Sequence, residues 1–265
     1  MKNIYLLLLI ALLFACNEED SVEPDKIPDP CLITRIEDQG GSYTTYQYDN
    51  NKRLTSYFVK VVSDHPLVIA SERNHTIERD SKNRISRIIA GSEGGDHVDI
   101  TTVDYDAQGR WIESTYGSAP DANTLPAFVS TTNVEYNQDG LISKATTFRS
   151  NGTLFYSLAL EYEQKNLTKS VFEMPDFTYK WIQRYEYYLD KEAKPTEVDL
   201  VNLYTARGSV PAGASPSKNL LKRRTSDDGT LIGEELTYEF NEFGYPTKIT
   251  NEINHESRNI SYLCD

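Results

Sequence analysis

The sequence predicts an all-β protein, an antiparallel meander of repeated hairpins that forms a strongly curved sheet or a closed barrel. Three observations predict it. A short turn pattern recurs along the chain. The stretches between turns alternate apolar and polar residues and favour Thr, Val, Ile and Tyr, and nothing after the first fifteen residues has a helical period. About sixteen strands of roughly 7 to 12 residues fit between Cys31 and Cys264.

Taken in order, the chain opens with Lys2, the only charge ahead of an apolar run from Ile4 to Ala15. That run is shorter than the about 20 residues needed to span a bilayer. A charged start, an apolar middle and a small residue at the end make residues 1–15 a signal peptide. Leu13-Phe14-Ala15-Cys16 resembles the cleavage box of bacterial lipoprotein precursors, which implies Cys16 as a diacylated first residue. An ordinary secretory signal with a chance cysteine is the alternative. Residues 16–30 are rich in acid and proline and poor in apolar side chains, so they read as a flexible tether. Glu18, Glu19 and Asp20 resemble the export signal of surface-exposed Bacteroidota lipoproteins, and a solvated linker is the other reading.

The formal charge of −13 bears on partners. Phosphate binding is driven by Lys and Arg, so the acidic balance excludes nucleic acid as an expected partner. It also removes any electrostatic hold on anionic lipid, leaving membrane attachment to the acyl chains on Cys16. The expected location is the outer membrane, lipid-anchored at the cell surface or on its periplasmic face. Two further cysteines, Cys31 and Cys264, stand at the two ends of the folded region. Outside the cytoplasm such a pair oxidises, provided the Cα atoms come within about 7 Å, and a bond would make the ends of the domain meet. Two unpaired buried cysteines are the alternative. Their spacing does not suit a metal site.

The recurring turn stands as YDNNKRLTSY at Tyr48, YDAQGRWIES at Tyr105 and YNQDGLISKA at Tyr136, with FNEFGYPTKI at Phe240. Weaker copies are RDSKNRISRI at Arg79 and YEQKNLTKSV at Tyr162. Asp or Asn folds its side chain back on its own backbone, and Gly accepts positive φ, so each copy is a β-turn between strands. A second turn type, SerAsnGlyThr at 150–153 and AspAspGlyThr at 227–230, carries the strongest short hairpin signal. These turns resemble the YD repeats of RHS-type proteins, and the chain is similar to Bacteroidota lipoproteins that carry them. The resemblance implies one YD-repeat-like β domain over residues 31–265; the enclosing shell of the much longer RHS proteins does not carry over. Within that domain, residues 205–217 form a stretch of small residues, Gly and Pro that suits a mobile lid or an insertion.

No nucleophile elbow, phosphate loop or dinucleotide fingerprint is present. The four histidines lack metal-ligand spacing. Asp96, His97 and Asp99 beside Gly94-Gly95 would need a further ligand to hold a metal, and read better as an exposed hairpin tip. Paired carboxylates could hydrolyse glycosides across a cleft, but among 40 acids such pairs arise by chance. The expectation is a non-enzyme without cofactor or metal. The four Asn-x-Ser/Thr sequons follow from the abundance of Asn, Thr and Ser in hairpins.

One strand carries a different signal. Every second residue from Phe177 reads Phe177, Tyr179, Trp181, Gln183, Tyr185, Tyr187, and alternation places them on one face of a strand. That face is either a half-buried core face, or an amphipathic platform for sugar rings or a ligand-lined barrel interior. Tyr and Trp suit each of these, having an apolar body and a polar tip. The 18 tyrosines against 9 phenylalanines lean toward a wet groove. Four roles follow: a tethered module binding glycan or cell-envelope material, a structural subunit of an outer-membrane protein complex, a lipid carrier, or a glycoside hydrolase.

Overall fold

The recurring turns shape the barrel because all but one of them close in the same way. In the computed structural model, which describes residues 31–63, 70–92, 95–194, 196, 217–227 and 234–264, Asp49, Asp80, Asp106, Asn137 and Asn241 each begin a tight turn. The side-chain oxygen of Asp49 accepts from Asn51 N–H (2.8 Å) and Arg53 N–H (3.0 Å). Asn137 does the same with Asp139 and Leu141, and Asn241 with Phe243 and Tyr245. The residue three places on has positive φ: Gly109, Gly140 and Gly244 there, but also Lys52 (61°) and Asn83 (62°). An extra residue on one side shifts the register by one, so Tyr48 pairs with Leu54, Tyr105 with Trp111 and Tyr136 with Ile142. The copy at Tyr162 differs. It closes as a two-residue turn with Gln164 and Lys165 both at positive φ, which keeps Glu163 opposite Asn166.

Sixteen strands result among the described residues. They are β1 (Leu32–Asp38), β2 (Tyr43–Tyr48), β3 (Leu54–Val61), β4 (Ser71–Arg79), β5 (Ile85–Gly91), β6 (Val98–Tyr105), β7 (Trp111–Ala119) and β8 (Ala127–Tyr136). Then follow β9 (Ile142–Arg149), β10 (Leu154–Glu163), β11 (Asn166–Met174), β12 (Tyr179–Glu192), β13 (Asn219–Ser226), β14 (Glu234–Phe240), β15 (Pro246–Asn251) and β16 (Ser257–Leu263). Each pairs antiparallel with its neighbours in sequence, and β1 pairs with β16, so the sheet closes into a barrel and has no edge strand. Strand lengths run from 6 to 14 residues, a wider range than the sequence suggests. Leu32–Leu263 form this barrel unit, while Cys31 and Cys264 belong to a small second unit of terminal residues. Those two cysteines are bonded, with Cα atoms 4.3 Å apart.

A meander alternates its connections between two ends. The Asp and Asn turns share one end with the start of β1, the finish of β16 and the long β12–β13 connection; this is the turn end. Connections such as 120–126, 150–153 and 175–178 form the opposite end, the mouth. The apolar core gathers toward the turn end. Leu54, Ile85, Trp111 and Ile142, the first residues of β3, β5, β7 and β9, are all buried. They join two clusters, one around Ile77 and Ile88, the other around Val134, Leu158 and Leu167. Each such side chain contributes ~1.5–3 kcal/mol when fully buried.

The other face of the sheet is charged. Lys60–Glu72, Arg87–Glu78, Lys144–Glu135, Lys169–Glu161, Lys180–Glu173 and Lys248–Glu239 are ion pairs between directly opposed residues of neighbouring strands. Such pairs add little stability, but they identify the wet side. Most apolar side chains therefore point inward and most charges outward, the inward Arg73–Asp99 and Arg224–Glu234 pairs departing from this. Ile100 is an exception, buried on the outer face near the 120–126 connection, where the outward Arg87 donates to Ala122 O (2.7 Å).

Candidate functional site

The aromatic run of β12 is divided along the barrel axis. Phe177 does not belong to the strand: it sits in a short 3-10 turn, Pro175–Phe177, followed by Thr178 in the left-handed region, and the strand begins at Tyr179. The proline and that left-handed residue interrupt the alternation, which corrects the expectation of an unbroken strand face from Phe177. Phe177 is 66% exposed and Tyr179 43% exposed, at the mouth. Trp181, partly buried, donates Nε1–H to Ser226 Oγ (2.8 Å). Deeper in, Tyr185 is core, 5% exposed, its hydroxyl donating to Gln183 and bonded to Ser170. Ser217 donates to Tyr187 Oη. Burial pushes both phenols above their ordinary pKa. Tyr185 and Tyr187 thus serve the core, and Phe177, Tyr179 and Trp181 face the mouth.

Neighbouring strands extend this wall. Tyr156 and Phe172 lie with ring centroids 5.4 Å apart, and Phe172 meets Tyr179 edge-on at 6.4 Å. The rim is tied together by the ion pair Arg149–Asp176 (2.7 Å) and by Ser150 N–H donating to Val129 O. Leu125, Phe128 and Val129 stand exposed along it. Tyrosine and tryptophan lining an accessible wall can stack on the apolar faces of sugar rings while their polar tips take hydroxyls.

A second group was not anticipated by the sequence reading. A cavity of about 330 Å³ is lined by Tyr57, Val59, Val61, Ser71, Arg73, His75, Ile88, Ala90, Asp99, Thr101 and Tyr116, all on the inner face of β3–β7. Arg73 and Asp99 form an ion pair at 2.6 Å, and Tyr116 donates its hydroxyl to the other Asp99 oxygen at 2.7 Å. His75 stacks on Tyr57, centroids 4.1 Å apart and rings nearly parallel. Desolvation, reinforced by the Arg73 charge, lowers the His75 pKa to about 4, so the ring is neutral near pH 7. This corrects the reading of Asp99 as part of an exposed tip. Asp96 and His97 are exposed before β6, whereas Asp99 lies inside the strand with its side chain only 13% exposed. The overlooked signal was Ser71, Arg73, His75 and Ile77 alternating with Glu72, Asn74, Thr76 and Glu78, an arginine on the face that also carries the buried isoleucine.

Among the described residues no cluster of His, Cys, Asp or Glu is placed to hold a metal. Cys16, the signal segment and the acidic tether lie outside the described residues, as does most of the 205–217 stretch. Ser217, at its end, is buried and accepts from Leu167 N–H, and Asn219 and Asn166 bond to each other.

No family model and no curated protein matches the chain. Solved structures do. A porin-like protein from Bacteroides uniformis ATCC 8492 is similar with a TM-score of 0.59 at 15% identity, over 89% of this chain and 99% of that one. A porin-like protein from Bacteroides vulgatus ATCC 8482 gives 0.51 at 12% identity, over 88% and 99%. At these identities the likeness concerns the barrel fold. TcdB2-TccC3 also matches, at a TM-score of 0.35 over 14% of its length, too low to bear on the fold.

Proposed function

We propose that this chain is a lipid-anchored, non-catalytic binding module of the outer membrane, held by Cys16, that takes glycan or other cell-envelope material at the mouth of its barrel. The observation that supports this most is the distribution of polarity. A barrel that spans a bilayer shows lipid an apolar band about 25 Å tall and keeps its interior polar. Here the arrangement is largely inverted, with a row of charge pairs on the outside and the apolar core within, although the Arg73–Asp99 and Arg224–Glu234 pairs also face inward. The barrel wall is therefore suited to water, and membrane attachment falls to the acyl chains. The strand β1 begins at the turn end, and Tyr179, Trp181 and the rim stand at the opposite end for a ligand.

The test is a glycan and polysaccharide array probed with the chain from Cys31 onward. Saturable binding that is lost in Trp181→Ala supports the reading and locates the site. A blank array with a folded protein removes the glycan. A second reading, a structural subunit of an outer-membrane protein complex, is favoured by Leu125, 91% exposed on the rim beside Phe128 and Val129. Crosslinking on intact cells through those positions would identify a protein partner.

A further inference from the structure

The cavity of β3–β7 has features that together specify a ligand chemistry. Its two charges are already paired, because Arg73 and Asp99 meet at 2.6 Å. Separating them would leave two half-buried charges uncompensated, so neither is available to neutralise an anion, a cation or the two ends of a zwitterion. The pair nonetheless presents guanidinium donors and carboxylate acceptors side by side. Adjacent hydroxyls on a ring, each both donor and acceptor, match such an edge. Ser71 and Thr101 add hydroxyls, while Val59, Val61, Ile88 and Ala90 supply apolar surface for C–H groups. At about 330 Å³, the cavity lies near the lower end of small-molecule sites, which run from about 300 to 1,000 Å³. That suits one ring and not a chain.

Two polar atoms support occupation. Arg73 Nε and His75 Nδ1 are shielded from solvent and have no hydrogen-bond partner among the described residues. Buried polar groups are nearly always satisfied, and a ligand that loosens this wall would give both atoms a partner. We infer that this cavity binds a single uncharged pyranose ring, as a free monosaccharide or as the end of a chain. The inference rests on the mouth being a ligand-binding face, but not on the aromatic wall of β10–β12.

The experiment is an NMR titration of the full-length chain, following the His75 ring resonances. The probes are D-glucose, D-galactose, D-mannose and N-acetyl-D-glucosamine with their methyl glycosides, and D-glucuronate and glycine as charged and zwitterionic controls. At least one neutral sugar moves the His75 signals saturably, and the uncharged double variant Arg73→Gln/Asp99→Asn weakens it at least tenfold. Glu135→Gln, on the outer face of β8, leaves that affinity unchanged. A methyl glycoside that binds as well as its parent assigns the site to a chain end; one that does not assigns it to the free sugar. The inference is overturned if no neutral sugar moves His75, if glucuronate or glycine binds instead, or if the folded double variant keeps full affinity. Should the double variant fail to fold, the His75 titration of the unaltered chain decides alone. Monosaccharide binding here with a blank array would retire the aromatic-wall reading only, and array binding without it would retire this inference only.

Discussion

At the scale of single residues, the turn positions carry both stability and pH dependence. The Arg53 guanidinium, then its backbone N–H, holds the Asp49 carboxyl down at about 2. Asp80 is lowered likewise by Arg84, through its backbone N–H first. Carboxyls with depressed folded values contribute stability above their unfolded pKa and lose it as pH falls through the folded one. His75 acts earlier on the same axis. Its unfolded value is 6.5 and its folded value about 4, so the unfolded state takes up the proton first and stability declines as pH falls through that interval. Urea midpoints measured from pH 8 to pH 3 should therefore fall in two stages. His75→Gln should abolish the upper stage and leave the lower; an unchanged profile would contradict the buried neutral ring. Lys52 occupies the positive-φ position that Gly fills in three other copies. Relief of left-handed strain, partly offset by the greater freedom of unfolded Gly, should make Lys52→Gly more stable by ~0.5–1 kcal/mol in urea unfolding.

At the scale of elements, the tyrosine that opens a turn joins one hairpin to the previous one in three copies, and Tyr262 near the end of β16 bonds in the same way. Tyr105 donates its hydroxyl to Ile85 O, Tyr136 to Trp111 O, Tyr48 to Ile33 O and Tyr262 to Pro246 O. Where the copy at Arg79 lacks the tyrosine, its guanidinium donates to Leu54 O instead (2.9 Å), so a copy that looks degenerate in sequence keeps its role. The arginine closing a turn lies over the next tyrosine, Arg84 over Tyr105 and Arg110 over Tyr136. Tyr136→Phe should cost ~1 kcal/mol, the net value of one hydrogen bond, and more if Trp111 O stays unsatisfied. Leu54→Ala, which empties a fully buried site at the start of β3, should cost ~2–5 kcal/mol. Equilibrium unfolding of both variants orders the two effects, and a larger loss for Tyr136→Phe would contradict this account. The turn motifs were legible because each is local, needing only Asp or Asn, a positive φ and an apolar residue at fixed offsets. The Tyr162 copy is also a β-turn between strands, but its two-residue loop gives it a different register.

At the scale of the whole molecule, closure and polarity decide what the barrel can do. Reconstituted into planar bilayers, the protein should give no conductance, and the chain from Cys31 should stay in solution without detergent. Discrete channel openings would overturn the reading of the outer wall. The Cys31–Cys264 bond closes a loop of 233 residues, for which chain entropy gives about 5 kcal/mol at most. Reduction should lower the urea midpoint without abolishing the β circular-dichroism signal, since the pairing of β1 with β16 remains.

The meander, the strand count and the turn chemistry were legible in the sequence, because these follow from local periodicity and from residues with few conformational options. Tertiary contacts were needed to show that the sheet closes, that Cys31 and Cys264 bond, that Tyr185 and Tyr187 belong to the core while Tyr179 stands at the mouth, and that Arg73, His75 and Asp99 share a cavity. Depth along a barrel axis and contact between strands far apart in sequence depend on how the sheet curves. An alternating pattern records which face a side chain takes, but not how far from water that face lies.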